Sequence, residues 1–494
     1  MTGHLAFPIV APLAGAALCL ALHRSLRAQR LVSLVALASV VVYAVGWLWP
    51  TLRAQGVAVM CVGNWPAPYG IVLAADLFSG IMLSLSAVVG LVVLIYAIAW
   101  MENGREEPFF YPLYLVLFMG IHGAFLTGDI FNLYVFFEVM LVASFGLMVL
   151  GGERAQIEGA LKYVVISQVS SALFLVGAGL LYGVAGTLNM ADLAQKLAGP
   201  QAAPYSAVAA QLFLVAFGIK SAVFPLFFWL PASYPAAKTP VTAVFGGLLT
   251  KVGLYALYRT CTLLFPAQWR AESGALLAVA ALTMAIGVLG AVAQRDLKRL
   301  LAFEVISQVG FLLIGLGLGT RAGLAAGIYF FIHIVLAKTA IFLVAGLAER
   351  EVGTTDLDAM GGLLRRRPGV AALYLGVALA LAGMPPLSGF LAKYGVIAAS
   401  LQAEQYALVG VALAVSLLTL YVLMRVWAEA FMRKAPGVVA PAGQLGLGLV
   451  ASVWVLAALV VGVAVMAGPL YHVAEQAAGQ LLDAGPYLGA VLAK

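Results

Sequence analysis

The chain has 494 residues, of which 64% are hydrophobic and only 10% are charged, and its mean hydropathy is +1.06. So little charge excludes a soluble protein of this length, and the continuous apolar runs exclude a β-barrel, whose strands would alternate in polarity. The net charge of +7 is spread along the chain without a basic tail, which excludes a nucleic-acid-binding protein.

The sequence offers no metal centre and no cofactor site. Its three cysteines form no CxxC pair and lie far apart, at positions Cys19, Cys61 and Cys261. That spacing holds neither zinc nor an iron–sulfur cluster, and it implies no disulfide framework. A Gly-rich phosphate loop and a dinucleotide fingerprint are also missing. We therefore expect no cofactor and no redox chemistry within this chain.

Long apolar runs recur from one end of the chain to the other and predict an all-α polytopic membrane protein with about fourteen transmembrane helices. No basic residues precede the first run, so we interpret it as a span rather than as a signal peptide. No loop is long enough for a separate domain, so we expect residues 1–494 to form one transmembrane domain. The predicted spans lie near 5–23, 30–50, 71–100, 110–127, 129–150, 160–186, 206–230, 240–265, 274–293, 299–320, 322–348, 369–400, 404–432 and 442–468.

The lysines and arginines of the loops predict the orientation of the chain. If the N-terminus lies outside, most basic loop residues fall on the inner side, as the positive-inside rule requires. The smaller outer set includes Arg259, which we assign to an outer loop. The sequence therefore predicts a multi-pass protein of a bacterial inner membrane, with both termini on the outer (periplasmic or extracellular) side.

Several ionisable residues lie inside the predicted spans. A charge near the bilayer centre costs roughly 3 kcal/mol on insertion scales. Such residues therefore indicate either a polar route through the bundle or ion pairs that hold helices together. A structural role explains three of them at least as well as a functional one, and we keep these three as secondary candidates. They are His122, a candidate core histidine, and Lys162 and Glu304, nearer the cytoplasmic ends of their spans.

Two stronger candidates come from the first half of the chain. Glu138 lies mid-span in GDIFNLYVFFEVMLVASFG, and Lys220 lies mid-span in GIKSAVFPLFFWLP. Each needs a partner in hydrocarbon, and the two would form either a functional pair or a structural one. Pro225 breaks the helix of Lys220, because proline lacks an N–H. Broken helices at membrane depth line hydrated cavities, which favours proton transfer by Lys220 over a lysine that snorkels to the interface.

The next candidates lie near the middle of the chain. Lys251, mid-way along its span, would either pass a proton between two half-channels or bond backbone carbonyls in helix packing. His333 and Lys338 share a span, but five residues turn a helix by about 500°, so their side chains point in different directions. Histidine suits a proton relay because it titrates near neutral pH, although a membrane histidine can also simply bond a carbonyl.

The segment LAGMPPLSGFLAKY again combines a helix break with a buried lysine. The break falls at Pro385 and Pro386, and Lys393 follows it. Two broken spans that are five spans apart cross the membrane in opposite directions, as in transporters with inverted repeats. We therefore predict two inverted five-helix repeats, spans 4–8 over residues 109–265 and spans 9–13 over residues 274–432, with spans 7 and 12 broken.

Four segments together resemble the antiporter-like subunit family shared by complex I, membrane-bound hydrogenases and Mrp-type cation/proton antiporters. They are GDIFNLYVFFEV, KSAVFPLFFWLP, KRLLAFEVISQVG and AGMPPLSGFLAKY. The similarity extends over nearly the whole chain, and the length and residues 151–194 favour the Mrp-type branch. The resemblance implies a fold of fourteen helices with two inverted repeats, each with a broken helix.

The resemblance also implies roles for individual residues. Glu138 and Lys220 match the family's glutamate–lysine pair. Lys251 matches the bridging lysine, His333 the relay histidine and Lys393 the exit-side lysine. One departure concerns the spacing of the relay. His333 lies five residues before Lys338, where relatives often have four.

These observations predict a transporter subunit rather than an enzyme. We expect a proton-translocating element of a hetero-oligomeric Na⁺/H⁺ antiporter in the lipid bilayer, with other membrane subunits as partners and H⁺ and Na⁺ as the transported ions. One alternative is a proton-pumping subunit of complex I or of a membrane-bound hydrogenase. Another is a structural scaffold whose ion pairs only hold helices together. A solute carrier is disfavoured because no substrate-pocket motif is visible.

Overall fold

The computed structural model describes residues 4–101, 109–199, 203–434 and 445–493. Within these ranges the chain is a bundle of helices with one small β-hairpin. In the first half the elements are α1 (Phe7–Ala21), α2 (Leu26–Gln55), β1 (Ala58–Cys61), β2 (Val72–Ala75), α3 (Leu77–Met101), α4 (Phe110–Leu126), α5 (Ile130–Val149), α6 (Arg154–Ala185), α7 (Met190–Leu197), α8 (Ala203–Ser221), α9 (Leu230–Ser233) and α10 (Thr239–Leu263).

The second half is entirely helical in its described residues. Its elements are α11 (Pro266–Ala271), α12 (Ser273–Val292), α13 (Leu297–Gly317), α14 (Arg321–Val352), α15 (Leu363–Arg366), α16 (Pro368–Ala382), α17 (Ser388–Gln402), α18 (Tyr406–Met432), α19 (Leu447–Val465), α20 (Ala467–Leu482) and α21 (Gly485–Leu492).

The predicted spans coincide with helices throughout the described chain. Ten helices are long and apolar enough to cross a membrane, and α1, α4 and α16 are shorter apolar helices. Each of the two predicted broken spans coincides with a helix on either side of a gap. The all-α membrane fold class is therefore confirmed, with the β1–β2 hairpin as a local exception. The number of crossings and the two inverted repeats stay predictions.

Both helix breaks fall where the prolines predict them. Helix α8 ends at Ser221, and Ala222 has a φ of 58°, in the left-handed region that ends a helix. Pro225 lies in the gap before α9. Helix α16 ends at Ala382, followed by Gly383 with a φ of 89°, and α17 begins beyond Pro385 and Pro386. Each break leaves helix ends inside the bundle.

The core of the bundle consists of α10, α13 and α14. The most apolar stretch of α14 is completely buried, and those of α10 and α13 are 94% buried. By contrast, no more than 39% of the most apolar stretch is buried in each of five outer helices, which are α2, α6, α12, α18 and α19. Large exposed apolar surfaces mark contact with a membrane or with partner proteins. Lys251, Glu304, His333 and Lys338, which lie on these three helices, are thus shielded by a shell of apolar helices.

One end of the bundle is closed by the hairpin and two short loops, and we call it the hairpin face. Strands β1 and β2 pair antiparallel, with Ala58 opposite Ala75. The Gly128 N–H donates to the Val72 carbonyl oxygen at 2.8 Å, and the Met190 N–H donates to the Gly128 carbonyl oxygen at 2.8 Å. These bonds join the hairpin to residues 127–129 and 188–190.

We expect Gly389→Ala to destabilise the second helix break. The α-carbon of Gly389 lies against the Ala380 carbonyl, so an added methyl group would overlap that oxygen. Because the neighbour is backbone, α16 and α17 would have to separate, at a cost of about 1–3 kcal/mol or more. Thermal denaturation of the detergent-purified protein measures this loss.

Gly376→Ala is the matched control on α16. A methyl group there meets no atom within 4 Å. The change replaces glycine with a better helix former, which should stabilise α16 by roughly 1 kcal/mol. Equal denaturation temperatures for the two variants would contradict the close approach of α16 and α17.

Candidate functional site

Glu138 and Lys220 lie near one another but do not touch. Their charges are close enough to interact, although among the described residues no direct ion pair joins them. The Nζ atom of Lys220 lies 5.8 Å from the centre of the Phe137 ring. One carboxylate oxygen of Glu138 is buried without a hydrogen-bond partner in the described chain. The pair predicted from the sequence is therefore brought together with a gap between its members.

A small cavity lies beside the Lys220 side chain. Its volume is about 20 Å³, and its walls include Phe137, Tyr163, Trp229 and Tyr234. A water molecule needs at least roughly 10–15 Å³ of such space, so the cavity is large enough for one. The Lys220 side chain thus borders a space with room for one water molecule.

Side chains satisfy the backbone that the first break leaves free. The Trp229 Nε1–H donates to the Ile219 carbonyl oxygen at 3.0 Å, and the Phe224 N–H donates to Thr283 Oγ1 at 3.1 Å. Free backbone groups inside a bundle are tolerated only when such partners exist. The break therefore holds Lys220 near a helix end, and these backbone groups around it have hydrogen-bond partners.

Lys251 is buried on α10, with 1% of its surface exposed. Its Nζ donates to the Gly246 carbonyl oxygen at 2.6 Å, within a π-helical turn over Phe245–Leu249. A methyl group at position 247 would overlap the Thr339 side chain. Because Gly247 has no side chain, α10 can approach α14 closely. As a result, the charges of Lys251 and Lys338 interact across the two helices.

Glu304 on α13 and Lys338 on α14 form a buried ion pair. Both side chains are 0% exposed, and Lys338 Nζ lies 3.8 Å from Glu304 Oε2. This distance is too long for a hydrogen bond. Gln308 Nε2 donates to the same oxygen at 3.4 Å, whereas Lys338 Nζ and Glu304 Oε1 have no hydrogen-bond partner in the described chain. Under-satisfied buried charges of this kind are costly, which makes a purely structural role a poor explanation.

His333 lies on α14 beside the second break. Its Nδ1 is hydrogen-bonded to Ser388 Oγ at 2.8 Å, and Ser388 is the first residue of α17. The charges of Lys338 and Lys393 both act on the ring. His333 therefore lies close to both the core ion pair and the lysine of the broken helix.

Lys393 lies on α17 and reaches back across the break. Its Nζ donates to the carbonyl oxygen of Ala382, the last residue of α16, at 3.0 Å, and lies 5.2 Å from the centre of the Phe311 ring. The C-terminal end of a helix carries partial negative charge, which stabilises an ammonium there. The charge of Glu304 also acts on Lys393.

The structure thus places the six principal candidates, which we call the series, in two groups: Glu138 and Lys220 at the first break, and Lys251, Lys338, His333 and Lys393 in the core and at the second break. Helices α8 and α10 cross between the two groups, where Gly253 packs against Lys220. Lys251 lies two residues before Gly253, so its side chain leaves α10 on nearly the opposite side. Beyond it the series continues through Lys338 and His333 to Lys393, with Glu304 beside them.

The other two secondary candidates lie outside the series. His122 is fully buried, and its Nδ1 is hydrogen-bonded to the Pro8 carbonyl oxygen at 2.9 Å, as a core histidine would be. Lys162 is 51% exposed and pairs with Glu158 at 2.6 Å. The expectation that Lys162 is buried inside its span is wrong, because this pair, four residues apart, lies on the outer surface of α6.

The assignment of Arg259 to an outer loop is also wrong. Arg259 lies within α10, and only 6% of its side chain is exposed. It pairs with the buried Asp76, with Nη1 2.7 Å from Oδ2 and Nη2 2.8 Å from Oδ1. Sequence reasoning missed Asp76 altogether. The apolar residues on both sides of Arg259 in LYALYRTCTLLF were the signal that it is buried.

Comparison with known proteins places this arrangement in a family. The family described as NADH:quinone oxidoreductase/Mrp antiporter, transmembrane, matches residues 127–419, a range that includes all six principal candidates. The chain belongs to this antiporter family. The D-type subunit of an Na⁺/H⁺ antiporter from Alkalihalophilus pseudofirmus is 44% identical over the whole length of both chains. A chain of the Mrp complex from Dietzia sp. matches with a TM-score of 0.92 and 32% identity, and both chains are completely covered.

A second branch of the antiporter family is also similar. A chain of respiratory complex I from Thermus thermophilus matches with a TM-score of 0.82 and 25% identity, over 97% of this chain and 100% of that one. The Mrp-type branch is therefore the more similar of the two, and its D-type subunit is the member that residues 151–194 favour. The resemblance predicted from the sequence motifs is confirmed, and the D-type relatives are named as antiporter subunits rather than as enzymes.

We expect Lys338→Met to destabilise the protein by about 3–5 kcal/mol, because it leaves Glu304 buried without its partner. The double variant Glu304→Gln/Lys338→Met removes both charges, so it should recover most of that loss. Thermal denaturation of the detergent-purified protein measures both effects.

Lys196→Ala is the control for this cycle. It breaks the pair of Lys196 with Asp192 at 2.9 Å, in which the lysine side chain is 45% exposed. Exposed pairs of this kind contribute less than about 1 kcal/mol. A double variant as unstable as Lys338→Met would show that lost packing, not the unpaired carboxylate, causes the destabilisation.

Proposed function

We propose that this chain is a proton-translocating subunit of a multi-subunit monovalent-cation/proton antiporter, with Na⁺ as the exchanged cation. The observation that carries the proposal is the series of ionisable side chains inside a shell of apolar helices, in which Lys251, His333, Lys338 and Lys393 are buried. Charged residues inside a membrane bundle are rare, and they mark ion and proton pathways. Two D-type relatives that match over the full length of both chains are named Na⁺/H⁺ antiporter subunits, which supports Na⁺ as the cation.

The proposed route follows the order of the series. A proton enters near Glu138 and Lys220, where the cavity is large enough for one water molecule. It crosses to Lys251, and then to His333. It leaves by Lys393, at the second helix break.

The proposed coupling between these groups is electrostatic. The Glu304–Lys338 pair lies between Lys251 on one side and His333 and Lys393 on the other, and charge interactions connect all of them. A proton gained or lost at one group changes the proton affinity of its neighbours, so the groups titrate together. Lys338 therefore has a central part in the proposal, despite its departure from the usual spacing.

The assembly and orientation belong to the same proposal. We place the chain in a bacterial inner membrane with both termini on the outer side, and we treat 109–265 and 274–432 as inverted repeats. Two helix breaks, each next to a buried lysine, support that repeat. The exposed apolar faces of the outer helices offer surface to lipid and to other subunits, and the relative of known structure from Dietzia sp. is part of a complex.

The alternative is a proton-pumping subunit of complex I or of a membrane-bound hydrogenase. The similarity to a chain of Thermus thermophilus complex I is the observation that favours it. Purification of the native assembly distinguishes the two, because the alternative requires redox-active partner subunits.

We expect Glu138→Ala and Lys220→Ala each to abolish Na⁺/H⁺ exchange by the assembled complex, because each removes one member of the entry pair. Exchange is measured in inverted membrane vesicles as Na⁺-induced collapse of a pH gradient. The amount of assembled complex is measured in the same membranes. Lys196→Ala, which removes an exposed lysine from α7, is the matched control and should exchange normally.

Two outcomes would overturn the proposal. Normal exchange by assembled Lys220→Ala would remove the entry pair from the route. A large loss of assembled complex in both variants, with normal exchange by the complex that does assemble, would favour a scaffold whose ion pairs only hold helices together.

A further inference from the structure

A second line of polar side chains leaves the series at Lys251 and runs along α10. Lys251, Tyr255 and Arg259 follow one another at intervals of four residues. Four residues are slightly more than one helical turn, so the three side chains lie on one side of the helix, about 12 Å from end to end. Nothing in the proposed route from Glu138 to Lys393 uses Tyr255 or Arg259.

The Tyr255 hydroxyl connects three structural elements. Its oxygen lies 2.8 Å from Ser79 Oγ on α3, and it donates to the Phe125 carbonyl oxygen on α4 at 2.9 Å. Arg259 Nη2 donates to the same hydroxyl at 3.2 Å and to Ser79 Oγ at 3.2 Å. Tyr255 is 3% exposed and Ser79 is 0% exposed. These two hydroxyls therefore form a buried network whose bonds can reverse direction.

The network ends in the ion pair of Asp76 and Arg259. The Ser79 N–H donates to Asp76 Oδ1 at 2.9 Å, so the carboxylate is held by both the arginine and the start of α3. Burying a charged pair costs as much as it returns, and an apolar pair would hold the same helices together at least as well. Helix packing alone therefore does not explain why charges lie at this position.

The ion pair lies next to the hairpin face. Asp76 directly follows β2, and the Arg259 guanidinium lies 5.4 Å from the centre of the Tyr487 ring. The charges of Asp76 and Asp129 both act on Tyr487. Asp129 belongs to the loop over residues 127–129, and burial raises the pKa of its carboxyl.

We infer that the hydroxyls of Tyr255 and Ser79 form a second proton branch, which connects Lys251 with the hairpin face through Asp76. The inference rests on the proposed function, because it needs Lys251 to carry a proton. It deepens that function by giving the first half of the chain its own connection to one membrane face, separate from Lys393.

Each transfer along the branch conserves charge and atoms. The Tyr255 O–H first turns from the Phe125 carbonyl oxygen to Ser79 Oγ. A proton from the Lys251 ammonium then forms a new O–H bond at the Tyr255 oxygen, while the original Tyr255 proton passes to Ser79 Oγ. The original Ser79 proton passes in turn to the Asp76 carboxylate, which releases it at the hairpin face. Rotation of both hydroxyls then restores the starting arrangement, and neither hydroxyl keeps a net charge.

Tyr255→Phe tests the branch with the smallest change, because it removes one hydroxyl and keeps the ring. We expect the rate of Na⁺/H⁺ exchange per assembled complex to fall about tenfold or more, the scale on which positioned proton-transfer groups act. Tyr258→Phe is the matched control. Tyr258 is buried on the same helix, and its hydroxyl donates to the Leu312 carbonyl oxygen at 2.6 Å, away from the network. Its loss should change the rate less than about twofold.

A second pair of variants covers the case in which Tyr255→Phe fails to assemble. Ser79→Ala removes the other hydroxyl of the branch, and Ser86→Ala removes a buried hydroxyl of α3 that donates to the Leu83 carbonyl oxygen. We expect a loss of rate for Ser79→Ala alone. A fall in denaturation temperature with an unchanged rate for Tyr255→Phe or Ser79→Ala would overturn the branch and leave a structural network.

Lys220→Ala separates this inference from the proposed function. If Lys220→Ala is inactive while Tyr255→Phe and Ser79→Ala exchange normally, the branch is wrong and the main route stands. If Lys220→Ala exchanges normally, the proposed function fails, and the branch fails with it.

Discussion

The cost of holding charge inside an apolar bundle constrains the whole structure. The buried lysines meet this cost by different means. Lys251 donates to the carbonyl of Gly246 in a π-helical turn, Lys393 donates to the last carbonyl of α16, and Lys338 lies opposite Glu304. In an ordinary helix interior every carbonyl already accepts a backbone hydrogen bond, so Lys251 and Lys393 each use a carbonyl at irregular backbone. Lys338 lies in the regular interior of α14 and depends on the opposite charge of Glu304 instead.

The helix breaks and two glycines together allow charged side chains to lie inside the bundle. The breaks at residues 222–229 and 383–387 leave helix ends inside the bundle, and those ends supply free polar groups. Gly247 and Gly389 allow neighbouring backbones to come close, so charges on different helices can interact. Each half of the chain combines one broken helix, one buried lysine beside it and one glutamate. This correspondence is what an inverted-repeat transporter would show.

Much of the fold follows from the sequence. The apolar runs predict the helices of the bundle, and Pro225, Pro385 and Pro386 predict its two breaks, because these signals are local. The motifs also predict the family and the six principal residues of the series. The sequence reasoning failed at Lys162 and Arg259, whose burial depends on which face of a helix turns toward neighbours. A span's hydropathy gives its depth in the membrane but not its rotation.

The sequence by itself determined which charged residues enter the membrane-spanning segments and where the helices must end. Only the tertiary structure decided which of these residues meet. Glu304 lies 34 residues before Lys338 in the sequence, and Asp76 is 183 residues from Arg259, so no local pattern joins the members of either pair. Their contact depends on the packing of α13 against α14 and of α3 against α10. The energy of a charge pair depends on the distance and the burial of both members, which are properties of the folded bundle.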